Sequence, residues 1–186
     1  MAKNDQVTVF IDEKKLSEAT MRFATHEIEL RCGKTGGIAE AEKREGDMKT
    51  PFGKYKLKQV FYRADKVEKP KTILPVSEIT PDMGWCDDPA DPAYNTLIKK
   101  PYAASHEDMY REDDVYDIVV EISHNDNPPV PGLGSAVFLH LMRPEKTGTA
   151  GCLAFTHENL RFLLDNVTKD TVIEIRPKPA PSAGIA

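Results

Sequence analysis

The sequence predicts a mainly β (β-rich α+β) fold with one or two short helices. Residues 7–11 and 54–61 alternate apolar with polar side chains, the period of a strand with one buried face. Residues 115–122 and 135–141 form β-branched and apolar runs that read as buried strands. Helix signals gather at one place, where Thr156 is a candidate N-cap, Glu158 lies in the first turn, and Leu160, Leu163 and Leu164 mark an apolar face.

Along the chain, strand 7–11 runs into an Asp-Glu-Lys-Lys turn and reads as one arm of a hairpin. Residues 21–23 and 27–32 continue as short strands. Residues 33–53 are polar and rich in Gly, Lys and Glu, as in a long functional surface loop. After strand 54–61, residues 70–114 read as irregular, rich in Pro and Asp, and carry the single tryptophan, Trp85. The Asn-Asp-Asn-Pro-Pro turn after His124 separates the two buried strands. A last strand is expected at 171–175. The expectation is one domain over residues 1–176, with 177–186 as a flexible tail.

Composition excludes several function classes. With 186 residues and a net charge of −5, the chain has room for one sizeable core and no basic footprint for nucleic acid or an anionic membrane. No apolar run approaches the roughly 20 residues that span a bilayer. The N-terminal residues lack a charged segment followed by an apolar one, so the expected location is the cytoplasm, or the periplasm or envelope if a leader was removed. Three cysteines at wide spacings, Cys32, Cys86 and Cys152, form neither a disulfide framework nor a zinc array. One cysteine with a chemical role and two packed as small hydrophobes is the economical reading.

The chemistry concentrates in the C-terminal third. His140 closes a buried strand, and twelve residues later Thr149-Ala150-Gly151-Cys152 forms a tight turn. A lone buried cysteine is most often inert. Beside an imidazole and near a helix start, however, a thiolate is favoured. The backbone N–H groups of Ala150, Gly151 and Cys152 are candidates for an oxyanion hole.

Gly134 to Phe155 resembles the active-site motif of the L,D-transpeptidase (YkuD-like) family: a strand-closing His, a variable loop, then Ser/Thr-x-Gly-Cys. Upstream, Gly46-Asp47 with Thr50-Pro51-Phe52-Gly53 resembles the family's Gly-Asp…Thr-Pro-x-Gly turn. Trp85-Cys86-Asp87-Asp88-Pro89, Tyr94-Asn95, Ser105-His106-Glu107 and His124-Asn125-Asp126 resemble a bacterial branch of it. The resemblance covers roughly residues 29–175. It implies a β-rich fold built on a mixed β-sheet or sandwich, Cys152 as nucleophile, His140 as general base oriented by a neighbouring main-chain carbonyl, and no metal or other cofactor. The implied partner is a peptidoglycan-derived stem peptide, cut between diaminopimelate and a terminal D-alanine. Two departures from the motif stand out. Ala150 replaces the usual His before Gly-Cys, and Ala154 replaces the usual Arg or Asn after it. Another group must therefore take over substrate binding, with Arg44, Lys43, Arg143, His124 and Thr149 as candidates.

Bland readings stand beside these. Arg44 with Asp47 fits a carboxylate clamp or a salt-bridged loop equally. His124 with Asp126 fits a turn-stabilising pair better than a proton carrier. His106 fits a loop or helix start, because neighbours on a strand point to opposite faces. Trp85 and Tyr94 fit a satellite core under a long loop. Asp87-Asp88 lacks calcium-loop spacing. The absence of an export signal favours water as acyl acceptor, hence an L,D-carboxypeptidase of cell-wall recycling. The alternatives are an L,D-transpeptidase making 3–3 cross-links and a non-catalytic peptide-binding module of the same fold.

Overall fold

A computed structural model describes residues 5–182 of the 186. The chain opens with β1 (Gln6–Ile11), β2 (Glu18–Phe23) and β3 (His26–Arg31) as an antiparallel meander. β4 (Gly37–Ile38) and β5 (Thr50–Pro51) pair briefly across the loop that separates β3 from the long β6 (Gly53–Tyr62). Then come β7 (Val76–Glu78), β8 (Met83–Cys86), β9 (Leu97–Lys99), β10 (His106–Asp108), β11 (Ile118–Ile122), β12 (Phe138–Leu141) and β13 (Leu153–Phe155). Helix α1 (His157–Asn166) and β14 (Val172–Pro177) complete the set.

The large sheet runs β11-β12-β13-β3-β2-β1-β14-β6-β7, and β11 also pairs with β6. Eight strands therefore close a ring, with β7 added outside. The sheet is mixed as expected, with β1–β14, β12–β13 and β6–β7 parallel. Closure removes the free edges that an open sheet would expose. Alternate side chains of the ring, among them Val9, Met21, Leu30, Leu139, Leu153, Phe155 and Ile173, fill a main core. Helix α1 adds Leu160, Leu163 and Leu164 from one face to the same core. Its N-cap is Thr156, whose hydroxyl accepts from Asn159 N at 3.2 Å.

A second core lies on the outer face of β6, β11 and β12. Phe61, Val119 and Phe138 point outward there and meet Trp85, Met109, Val115, Tyr116 and Cys152. Residues 115–120 are thus buried without alternation, because β11 and the residues before it serve two cores.

Residues 70–114 depart from the irregular reading. They hold β7 and a small antiparallel sheet ordered β10-β8-β9, which covers the outer face of the ring. These strands are only three or four residues long, too short for a period-two pattern to show. His106 consequently sits in β10, not in a loop or at a helix start. The last strand also runs to Pro177, one residue into the expected tail. Residues 178–182 carry no regular structure, and the rest of that tail lies outside the described residues.

Truncating Leu153, 1% exposed, to Ala is expected to lower unfolding free energy by about 2–5 kcal/mol. Thr156→Ala is expected to cost about 1 kcal/mol through loss of the cap. Urea denaturation of both variants reads these losses directly.

Candidate active site

β12 and β13 run parallel, with Leu139 opposite Leu153 and His140 opposite Ala154. Side chains alternate along each strand. Leu139, Leu141, Leu153 and Phe155 therefore enter the main core, while Phe138, His140, Cys152 and Ala154 share the outer face. Cys152 sits just before β13, within reach of β12: Phe138 N donates to its Sγ at 3.3 Å. The thiol in turn donates to Ala136 O at 3.1 Å.

Nδ1 of His140 donates to Leu141 O at 2.9 Å. A carbonyl only accepts, so Nδ1 carries the proton and Nε2 keeps its lone pair. The imidazole stacks obliquely on the ring of Tyr116, 5.6 Å between centroids. His140 and Cys152 are 7% exposed each, and both line one cavity of about 370 Å³. Burial lowers the imidazole to about 4, aided by Arg111 and Arg143 and opposed by the Leu141 carbonyl and Asp113. Burial pushes the Cys152 thiol up to about 12; the Glu107 carboxylate adds to this, while the Phe138 N–H and Lys43 oppose it. The resting pair is therefore a neutral thiol and a neutral imidazole. Such a pair can do acyl chemistry with the imidazole taking the proton as sulfur attacks.

The turn before Cys152 is stitched on three sides. Thr149 N donates to Cys32 O and Lys34 N to Thr149 O, both at 2.9 Å. Thr50 Oγ1 accepts from Gly33 N at 2.9 Å and donates to Gly151 O at 2.8 Å. Gly151 has φ +140, and a Cβ there would lie 2.9 Å from Lys49 O. Only glycine fits that position.

A family model of the L,D-transpeptidase (YkuD) catalytic domain matches residues 3–175. The chain belongs to the L,D-transpeptidase catalytic-domain family. Members of that family act on peptidoglycan peptides. The match reaches back through the first hairpin, beyond residue 29 where the resemblance read from the sequence begins. No curated protein and no solved structure matches the chain.

Within this family domain, the sequence candidates separate. Ala150, Gly151, Cys152, Thr149, Arg143 and His140 all line the cavity. Of the three expected oxyanion donors, however, Gly151 N already donates to Thr149 Oγ1 at 3.0 Å, which leaves Ala150 and Cys152. Thr149 Oγ1 also donates to Cys152 O at 2.7 Å, so its hydroxyl shapes the turn rather than reaching for a ligand. Helix α1 does not start beside Cys152, because β13 intervenes. The expected lowering of the thiol by a helix terminus is therefore absent.

Arg44 is exposed and outside the cavity lining, with its guanidinium on Ala41 O and Lys43 O. Asp47 pairs instead with Lys43, which is 3% exposed and does line the cavity. His124 is also outside the lining. It is buried against Tyr55, and its Nε2 lies 3.3 Å from Leu133 O. Burial lowers it to about 4. Asp126 pairs with Lys58, and the turn-holding side chain is Asn125, which bonds Val130 and Gly134.

Tyr94 and Asn95 are positioning residues. Asn95 Oδ1 accepts from Trp85 Nε1 at 2.9 Å and from Ala136 N at 3.0 Å. Tyr94 OH accepts from Gly134 N at 3.0 Å and donates to Glu45. Together they hold Ala136, at φ +52, with its carbonyl on the Cys152 thiol. Glu107, Asp87, Arg111 and Tyr116 also reach the cavity, although none of them is a candidate site residue in the sequence. In β10 the alternation sends Glu107 inward, whereas His106 bonds Ala104 O.

His124 and His140 both fall from an ordinary value of 6.5 to about 4 in the folded chain. Between those values the unfolded chain binds more protons, so the stability they confer is complete above about 6.5 and is lost as pH falls toward about 4. The thermal midpoint is expected to drop steadily from pH 7 to 4.5. A constant midpoint over that range would contradict two buried neutral histidines.

Proposed function

We propose that Cys152 is the nucleophile and His140 the general base of an enzyme that cuts peptidoglycan stem tetrapeptides between diaminopimelate and terminal D-alanine. One observation carries the reading. Parallel register puts the thiol and an imidazole with a free Nε2 on the same strand-pair face inside one cavity. Nε2 takes the thiol proton as sulfur attacks the carbonyl carbon. It returns that proton to the leaving D-alanine nitrogen as the C–N bond breaks, leaving a thioester. Water then attacks the thioester, its proton passes to Nε2, and the tripeptide and thiol are released. The acidic form His140⁺ disables the base, and its low value keeps the base in its working form through neutral pH.

The proposed outcome is hydrolysis, an L,D-carboxypeptidase of cell-wall recycling. A cavity of about 370 Å³ suits the reacting end of one peptide with a water beside it. A second reading has its own support. Glu45, Asp87 and Glu107 line the same cavity and would attract the ammonium group of an amine acceptor, which gives a 3–3 cross-link.

Incubating the protein with diaminopimelate-type tetrapeptide, with and without a second peptide as amine acceptor, decides between them by mass spectrometry. Tripeptide and free D-alanine in both arms are expected. Cross-linked dimer as the main product would establish the second reading. No turnover, together with no carbapenem adduct on Cys152, would leave a binding module.

Cys152→Ser is expected to abolish turnover, since a serine hydroxyl replaces the more acidic thiol. His140→Ala is expected to slow it by about two to four orders of magnitude. Replacing Cys32 or Cys86 should leave the rate near wild type, both being buried outside the cavity lining.

A further inference from the structure

Lys43, buried, and Glu107, half-buried, are two charges that the strand pair does not itself supply. Lys43 comes from the loop between β4 and β5, and Glu107 from β10 of the covering sheet; both line the Cys152 cavity. Lys43 is 3% exposed, which is rare for a lysine. Its Nζ donates to Arg44 O at 2.9 Å and to Asp47 Oδ1 at 2.5 Å. Its third N–H has no protein acceptor among the described residues. The ammonium lies over the turn that carries the thiol, since a Cβ on Gly151 would sit 3.8 Å from Lys43 Nζ.

Glu107 enters the cavity lining from β10 of the covering sheet. Tyr116 OH donates to its Oε2 at 2.8 Å, and the Tyr116 ring packs on both His140 and Phe138. Ala150 and Ala154 place no polar side chain beside Cys152, so any charge acting on the sulfur must come from elsewhere in the fold.

We propose that Lys43 and Glu107 act as opposed positioning charges on Cys152, the ammonium stabilising the thiolate and the carboxylate resisting it. The proposal rests on the reading of Cys152 as nucleophile. Other charged or titratable groups around the cavity are His140 on β12, Tyr116 and Arg111 before β11, Asp87 after β8, Glu45 beside Lys43, Lys34, and Arg143 after β12. Arg111 is held in a two-point pair with Asp113, which Arg143 also meets at 3.4 Å. Lys43 is likewise held by Asp47, but its ammonium is the one that lies over the turn carrying the thiol. The electrostatic influence on the thiol comes from Glu107 in one sense and Lys43 in the other. Placing both around the cavity of one buried sulfur lets the site hold a neutral thiol at rest and accept negative charge when a substrate excludes water.

The test is the pH dependence of Cys152 alkylation by iodoacetamide, with peptide mapping to separate it from Cys32 and Cys86. Lys43→Met is expected to move the profile to higher pH and slow alkylation at neutral pH by about tenfold, as a one-unit change in thiol pKa does. Glu107→Gln is expected to move it the other way by a similar factor. Lys43→Arg keeps the charge and should lie near wild type. A purely structural role would not give opposite displacements. If Lys43→Met does not fold, the displacement of Glu107→Gln to lower pH and the retained profile of Lys43→Arg still carry the test. Profiles that stay in place, or move in the same direction, overturn the proposal. Alkylation needs no peptide, so displaced profiles without tetrapeptide turnover would refute the proposed reaction and leave this inference standing.

Discussion

The parallel pairing of β12 with β13 is the constraint on which the rest depends. It joins two segments separated by a loop and fixes their register, so that every second residue faces the main core and the others face outward. Leu139, Leu141, Leu153 and Phe155 anchor the pair in the ring, 0–6% exposed. A one-residue slip would exchange these four for Phe138, His140, Cys152 and Ala154, placing an imidazole and a thiol in the apolar interior. Core burial therefore holds the candidate site in register, and the hydrogen bonds of Thr149, Thr50 and Gly151 fix the turn that carries the thiol.

The outer face would be open to water without its cover. The small sheet and the residues after it bury Phe61, Val119 and Phe138 and bring Trp85, Asn95 and Tyr94 against the approach to β12. Asn95 uses its whole amide in this role: Oδ1 takes Trp85 Nε1 and Ala136 N, and Nδ2 donates to His124 O and Asn125 O. A buried amide that is fully bonded specifies geometry without a desolvation penalty left unmatched. Its consequence reaches the sulfur through the Ala136 carbonyl. Motifs far apart in the chain thus serve one geometric end.

Burial also decides the electrostatic state. The same water exclusion that raises the thiol lowers the imidazole, so the pair rests uncharged, and in the proposed reaction proton transfer would accompany attack. An exposed dyad, or one at a helix terminus, would instead rest as thiolate and imidazolium. The chain's membership of the L,D-transpeptidase family and this buried arrangement fit a site that develops charge only around a bound peptide.

The sequence by itself determined the class of fold, half of the strands and the helix with its Thr156 cap, and it singled out His140 and Cys152 as the candidate pair. Those readings come from local periodicity and from short spacing, which a linear chain displays. It also carried the family motif, including the glycine that the backbone at Gly151 requires. The closing of the ring, the sheet within residues 70–114, and the choice of Lys43 over Arg44 were decided only in three dimensions. Adjacent residues look alike as sequence, yet the loop buries one ammonium against Asp47 and leaves the neighbouring guanidinium outside. Glu107, likewise, became part of the cavity because a three-residue strand turned it inward while its neighbour His106 turned away. Burial and pairing partners are set by distant segments, and no local pattern records them.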